Sequence, residues 1–389
     1  MIDPRLFLPH TFALMSLPPE SRRAGAILSV DLDAVAANWR LLRDLGRAAG
    51  KPVECAAVLK ADAYGLGAGP VGRRLWAEGC RYFFVAHVDE GIALRAAVPE
   101  SWICVLNGLL PGADIDLVEH RLVPALNDLG QVSAWRSCAQ RFTQPLDAVI
   151  HLDTGMNRLG LNPDEAMLLT NDRMRLRGLR LALLMSHLVS SERPADTTNR
   201  AQLERFRQFV ARMPGAPASL ANSSGVFLGA DYHFDLMRPG AALYGINPTP
   251  DTANPMQPTV ALMARILQVR QIDAMAGVGY NHDWRSGRST RIAVVAAGYA
   301  DGYMRSLGNR GEVAVEGHKV KVVGRVSMDL LTIDVTDLPD GLAVPGAFVE
   351  LVGPNLPPDE VAVSARTNGY EILTNLGDRY HRVYSGAVA

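Results

Sequence analysis

"AAVLKADAYGLG", residues 56–67, closes an apolar run with Lys60 and then supplies Tyr64, Gly65 and Gly67. Ala56–Leu59 reads as a short buried strand, and the lysine stands where that strand would end. A lysine stem can lie along apolar surface with its ammonium in water. Alternatively the amine is desolvated, and the neutral amine is the form that attacks a carbonyl. The stretch alone leaves both readings open.

The surrounding chain repeats the pattern. After "ILSVDL", Leu32, Val35, Trp39 and Leu42 recur at helical spacing, so a helix follows a strand. Eight further apolar runs follow: "CAAVLK", "YFFVAHV", "WICVLNG", "LVPALN", "AVIHLD", "LALLMSH", "ASLAN" and "FDLMRPG". Strands alternating with amphipathic stretches imply parallel pairing through helical crossovers, and eight of them predict a closed (β/α)8 barrel of the TIM type. Lys60, Asp153, Arg158, His187, Ser223 and Arg238 all fall at or just past the C-terminal ends of these runs, the face on which such barrels build their sites.

After residue 255 the pattern changes to β-rich segments separated by turns: "RILQVRQI", "RIAVVAAG", "GEVAVEGHKVKVVGRVSMDLLTIDV" and "AFVELVG". Alternation on both sides of Glu316-Gly317-His318 predicts a hairpin. The segment "NPTPDTANPMQP" (247–258) carries four prolines and reads as the linker. The expected organisation is an extension over 1–27, a barrel over 28–255 and a mainly β domain over 256–389. A chain of 389 residues is long enough for two cores.

A formal net charge of −1 provides no basic field for nucleic acid or an anionic membrane. Cys55, Cys80, Cys104 and Cys138 match no metal-binding spacing and lie in or beside apolar stretches. They read as buried free thiols of a reducing compartment, with no metal site expected. Residues 1–26 carry their basic residues after the apolar part, the wrong order for a secretory signal, and no stretch is apolar enough to span a bilayer. The cytoplasm is the expectation.

"VLKADAYGLG" (58–67) resembles the cofactor-lysine motif of the alanine racemases, pyridoxal-phosphate enzymes with a barrel followed by a β domain. Further similar segments occur in family order: "HLDTGMNRLG" (151–160), "MSHL" (185–188), "ANSSG" (221–225), "MRPGAALYG" (237–245), "GVGYN" (277–281), "GYADG" (298–302), "GRVSMDLLTIDV" (324–335) and "GYEILTNLGDRYHRVY" (369–384). Together they extend over nearly everything after residue 27.

The resemblance implies that Lys60 holds pyridoxal 5'-phosphate as an internal aldimine and that Tyr64 reaches its phosphate. Ser223, backbone amides near Gly240 and Ala241, and Tyr370 would share that phosphate, since small residues permit close backbone approach to an anion. Arg238 would face the pyridine nitrogen. A guanidinium is a permanent donor, so the ring nitrogen would stay unprotonated and the ring would be a weaker electron sink, which suits racemisation over transamination.

Inversion at Cα calls for a base on each face. Lys60 would serve one, and Tyr280, by resemblance from the partner subunit of a homodimer with shared sites, the other. A free phenol titrates at about 10, so it needs help, which His187 backed by Arg238 would give. On its own, a histidine closing "LALLMSH" reads equally well as a satisfied core residue. Arg158 would bind the substrate carboxylate or the ring oxygen of the cofactor. Met328 and Asp329 match the partner segment that meets the carboxylate, and Tyr299 and Tyr370 match a narrow entrance favouring alanine.

Some positions depart from the family pattern. His151 stands where many members carry a carbamylated lysine that orients the counterpart of Arg158, and a histidine cannot carry that group. Another anion or a plain hydrogen bond would have to replace it. Ser327, Leu66 and Asn157 also differ from common residues, and none removes a catalytic group. The implied reaction is interconversion of L- and D-alanine. A broad-specificity racemase, a related amino-acid decarboxylase and a non-catalytic pyridoxal-phosphate-binding protein are the alternatives.

Overall fold

The computed structural model describes residues 19–48 and 52–387. Residues 1–18 of the expected N-terminal extension lie outside the described residues. The chain divides into two compact units. One is Leu32–Gln257 with the last residues from Gly386; the other combines Pro258–Ser385 with the chain up to Asp31.

The first strand, β1 (Ala26–Asp31), corrects the expected boundary of 27/28. It pairs antiparallel with β11 (Val260–Ile272) and parallel with β19 (His381–Ser385), so it belongs to the second unit. A strand's own alternation does not name its partner, which is why the sequence could not assign it. The other division falls at 257/258, inside the proline-rich linker and two residues past the expected 255/256.

In the first unit, helix Leu32–Arg47 buries Leu32, Val35, Trp39 and Leu42 along one stripe. Strands β2 (Glu54–Cys55), β3 (Ala57–Val58), β4 (Tyr82–Val85), β5 (Trp102–Val105), β6 (Leu122–Leu126), β7 (Leu146–His151), β8 (Leu179–Met185), β9 (Ala218–Ser219) and β10 (Leu236–Met237) follow. From β3 to β9 they form one seven-stranded parallel sheet in sequence order. The ring then closes: β10 pairs in parallel with β2, and the amides of Asp235 and Arg238 donate to the carbonyls of Ala218 and Ala221 at 3.0 and 2.9 Å. With β2 and β3 forming one run, eight runs surround the interior, as in a TIM-type barrel.

Alternate residues of a strand share a face. Val58, Ala125, Val149, Met185 and Leu236 lie in one buried apolar cluster inside the barrel. Two residues further along the same runs stand Lys60, Asn127, His151, His187 and Arg238. The register that fills the core therefore places a polar layer directly above it, at the C-terminal mouth.

The second unit is mainly β. Besides β1, β11 and β19 it contains β12 (Gly277–Val278), β13 (Trp284–Arg285), β14 (Thr290–Val295), β15 (Glu312–Val315), β16 (His318–Lys321), β17 (Leu331–Asp334) and β18 (Phe348–Val352). Its large sheet runs β16-β15-β18-β11-β1-β19, with β14 pairing both β11 and β17. The expected hairpin is present, with Val315 opposite His318. Its two-residue turn is Glu316-Gly317, with φ of 47° and 81°, the positive pair that matches strand twist.

Candidate active site

Lys60 is held by an unusual stretch of backbone. Ala61, Asp62, Ala63 and Tyr64 all have φ between 52° and 56°, so the residues after the lysine form a left-handed helical turn. For residues bearing a Cβ this costs about 1–2 kcal/mol each, and such strain gathers at functional sites. Local bonds hold the turn: Gly65 N donates to Ala61 O at 2.7 Å and Gly67 N to Asp62 O at 2.8 Å. Asp62 Oδ1 accepts from Ala68 N at 2.7 Å. From outside, Glu90 accepts from Ala61 N at 2.7 Å through one oxygen and from Ala86 N at 2.7 Å through the other.

The electrostatics of the mouth keep several groups neutral. Burial, aided by the Arg158 charge, lowers the proton affinity of the Lys60 amine, and Glu90 opposes the shift. Burial first, then Arg238 and Arg158, push His151 down to about 3. His187 is held well below the usual histidine range by burial and then by Arg238, Arg158, His151 and Lys60. Arg238, buried beside Ser219 and Ser186, is pushed down to about 10 and stays cationic at neutral pH. Its guanidinium donates to Ser219 Oγ and, at 2.5 Å, to Ser186 O.

A cradle for an anion lies on the same rim. Ser223 Oγ accepts the backbone N–H groups of Gly240 at 3.0 Å and Ala242 at 3.2 Å. A Cβ on Gly240 would stand 2.6 Å from Tyr64 Oη, so the close approach requires glycine. Burial pushes the Tyr64 phenol up to about 12, which keeps it a hydroxyl donor. Its ring packs 4.8 Å from that of Tyr244, whose hydroxyl donates to Val58 O at 2.9 Å. Ser223, whose oxygen receives both amides and whose hydroxyl hydrogen is thereby left to donate, and a protonated tyrosine suit a phosphate.

Arg158 projects from a closed loop. Asp153 Oδ1 accepts from Gly155 N and Met156 N at 2.8 and 2.9 Å. Leu161 N returns to His151 O at 2.8 Å. At Gly160, with φ of 109°, a Cβ would meet Asp153 N at 2.7 Å. The arginine itself is exposed.

The remaining candidates lie in the second unit, where backbone contacts link the segments that carry them. Tyr299 N and Ala300 N donate to Ser327 O and Met328 O at 3.0 and 2.9 Å. Gly302 abuts Asn375 O, where a Cβ would leave 1.8 Å, which joins this loop to the end of helix Gly369–Thr374 bearing Tyr370. Gly324 lies against Val278 O, joining the Tyr280 turn to the segment leading to Met328. Asp329 pairs with Arg379 at 2.8 Å. Tyr280, Met328 and Tyr299 are 68%, 54% and 43% exposed, three large side chains open to contact.

Sequence reasoning missed Asn127, Glu90 and Gln202. Asn127 ends "LVPALN", and the same strand-end position that singled out Lys60 and His187 would have found it. Gln202 donates to Thr154 Oγ1 at 3.0 Å and His187 O at 2.9 Å and accepts from Val189 N, tying two site loops together. It lies inside helix Thr197–Arg212, where no strand-end signal exists.

Comparison with known proteins gives the same two-part division. Residues 30–248 match the family described as alanine racemase, N-terminal domain, and residues 259–384 its C-terminal domain. An alanine racemase of Acidiphilium cryptum is 51% identical over 356 residues, 92% of this chain and 98% of that protein. A protein of Mesorhizobium japonicum described as a catabolic alanine racemase is 45% identical over 372 residues, 95% of this chain and 96% of that one. The crystal structure of alanine racemase from Bartonella henselae with covalently bound pyridoxal phosphate superposes with a TM-score of 0.89 at 39% identity, covering 93% of this chain and all of that one. With both family domains matched in order along nearly the whole chain, this protein belongs to the alanine racemase family.

Proposed function

We propose that this chain interconverts L- and D-alanine with pyridoxal 5'-phosphate as cofactor. The observation that carries the reading is the juxtaposition, in one barrel mouth, of a desolvated lysine, a buried guanidinium and an anion cradle.

Lys60 anchors the cofactor, Tyr64, Ser223 and the amides around Gly240 and Ala241 hold its phosphate, with Tyr370 assigned to it as well, and Arg238 donates to its ring nitrogen. The cofactor supplies an electron-withdrawing ring that acidifies the Cα proton of an attached amino acid. Lys60 Nζ, whose proton affinity is lowered, takes or returns that proton on one face. Tyr280 of the partner subunit serves the other face. Neutral His187 lies in the field of Arg238, and the reading assigns it the link between the tyrosine and that charge. Arg158 orients the substrate carboxylate together with Met328 and Asp329, and Tyr299 and Tyr370 narrow the entrance. The exposure of the large side chains Tyr280, Met328 and Tyr299 supports a homodimer in which each mouth is completed by the other chain. Four buried free thiols support placement in the cytoplasm, and no helix among the described residues is long and apolar enough to cross a membrane.

The test is direct. Purified protein supplied with pyridoxal phosphate should show a visible absorbance band that borohydride removes, and should convert either enantiomer of alanine to an equal mixture by chiral analysis. Protein that stays colourless, or coloured protein that returns alanine unchanged, overturns the proposal. Carbon dioxide release would favour the decarboxylase, and equal rates on long side chains the broad-specificity racemase.

A further inference from the structure

His151 is buried in the mouth, and its Nδ1 lies 2.7 Å from Asn127 Oδ1. Which atom donates is decided by the other end of the asparagine. Asn127 Nδ2 faces two carbonyl oxygens, Leu106 O at 3.1 Å and Ala125 O at 2.8 Å. Carbonyls only accept, so the amide nitrogen must point to them and the amide oxygen to the imidazole. Nδ1 therefore carries the hydrogen.

The asparagine is itself fixed. Its backbone N–H donates to Gln131 Oε1 at 3.0 Å. Gly108, with φ of 75°, lets the strands close over this point, since a Cβ there would stand 2.3 Å from Gln131 Oε1 and 2.4 Å from Ala125 O. The charged and titratable groups around the imidazole are Arg238, Arg158, Asp153 and His187. Two guanidinium charges act on this ring, and both favour a bare nitrogen over a protonated one at the end that Asn127 leaves open. Arg238 already spends donors on Ser219 and Ser186. Among the described residues the Arg158 side chain has no hydrogen bond or ion pair.

We infer that Asn127 is a positioning residue: it locks His151 in the neutral Nδ1–H form, so that Nε2 is left as an uncharged acceptor to which the Arg158 guanidinium can turn when it receives a substrate carboxylate. Only the role of Arg158 rests on the racemase reading. The tautomer stands on the geometry of this chain alone.

Two measurements test it. The first is nitrogen-15 NMR of histidine-labelled full-length protein without substrate, with the His151 signal identified by its loss in His151→Gln. Nδ1 should be protonated and Nε2 bare, and Asn127→Asp, which presents a carboxylate to Nδ1–H, should shift the ring toward the doubly protonated form. The second is steady-state racemisation. His151→Phe removes the acceptor and should raise KM for alanine about tenfold or more, the worth of one hydrogen bond to a charged group, with kcat changed less. His151→Gln, whose amide oxygen can replace Nε2, should recover most of that loss. A bare Nδ1 with protonated Nε2, or wild-type KM in His151→Phe, overturns the inference. Wild-type protein with the stated tautomer but no racemase activity overturns the proposed function and leaves the tautomer lock standing.

Discussion

Ala61→Gly should stabilise this protein, although alanine to glycine in a helix ordinarily does the opposite. Ala61 sits at φ 52°, ψ 49° in the left-handed turn after Lys60 and is exposed, so the substitution removes no packing. Glycine lifts the Cβ–carbonyl penalty of about 1–2 kcal/mol. It loses about 0.5–1 kcal/mol through the greater freedom of the unfolded chain. The net gain is roughly 0.5–1 kcal/mol from those two terms. Ala134→Gly is the control: it is exposed in the right-handed helix Leu129–Ala139 and should cost about 1 kcal/mol. The two variants thus differ in sign. Urea unfolding followed by tryptophan fluorescence reads it, since Trp39, Trp76, Trp102 and Trp135 all lie in the barrel unit. Racemisation should slow in Ala61→Gly even as stability rises, because a relaxed turn positions Lys60 less firmly. An Ala61→Gly protein destabilised as much as Ala134→Gly would refute the left-handed turn.

Lys60→Ala should abolish the borohydride-sensitive band and racemisation together; a mutant that kept both would place the anchor on another lysine. Tyr370→Ala should raise activity on serine and larger amino acids relative to alanine across a substrate panel, if the tyrosine narrows the entrance. For His151 the folded state resists protonation, titrating at about 3 against about 6.5 unfolded. The unfolded chain therefore binds the extra proton, and stability falls as pH drops from about 6.5, by up to ~1.4 kcal/mol per pH unit for this residue. His151→Gln should remove that part of the slope in acid titrations of urea midpoints. Mixing inactive Lys60→Ala and Tyr280→Phe proteins under verified subunit exchange should restore roughly a quarter of wild-type activity, because a symmetric dimer with shared sites regains one intact site in each mixed pair; a mixture as inactive as its parents would put both bases on one chain.

The fold was legible because two periodicities coincide with one register. The alternation that placed Val149 and Met185 in the core also placed His151 and His187 two residues on, so a list of strand ends was already a list of mouth residues. What stayed hidden depends on partners distant in sequence. No glycine marks positions 61–64, so the left-handed turn leaves no trace in composition, and its anchor Glu90 is 29 residues away on another helix. The strand over 26–31 carries the alternation of any half-buried strand, while its neighbours β11 and β19 come only after the whole barrel segment.

These hidden features share a physical character. Glu90 holds the strained turn through backbone N–H groups, Asn127 fixes a histidine tautomer through an amide, and Gln202 ties two loops through a hydroxyl, a carbonyl and an amide. Each acts on the orientation of a neighbour, with no chemistry of its own, so residue type and spacing give no motif. The groups that would touch substrate or cofactor are constrained by reactivity and can be recognised singly. Those that aim them are constrained only by geometry and can be recognised only in the folded chain. A polar side chain two residues beyond a barrel-core position is the one rule that reaches across the divide, and Asn127 satisfies it as fully as Lys60 does.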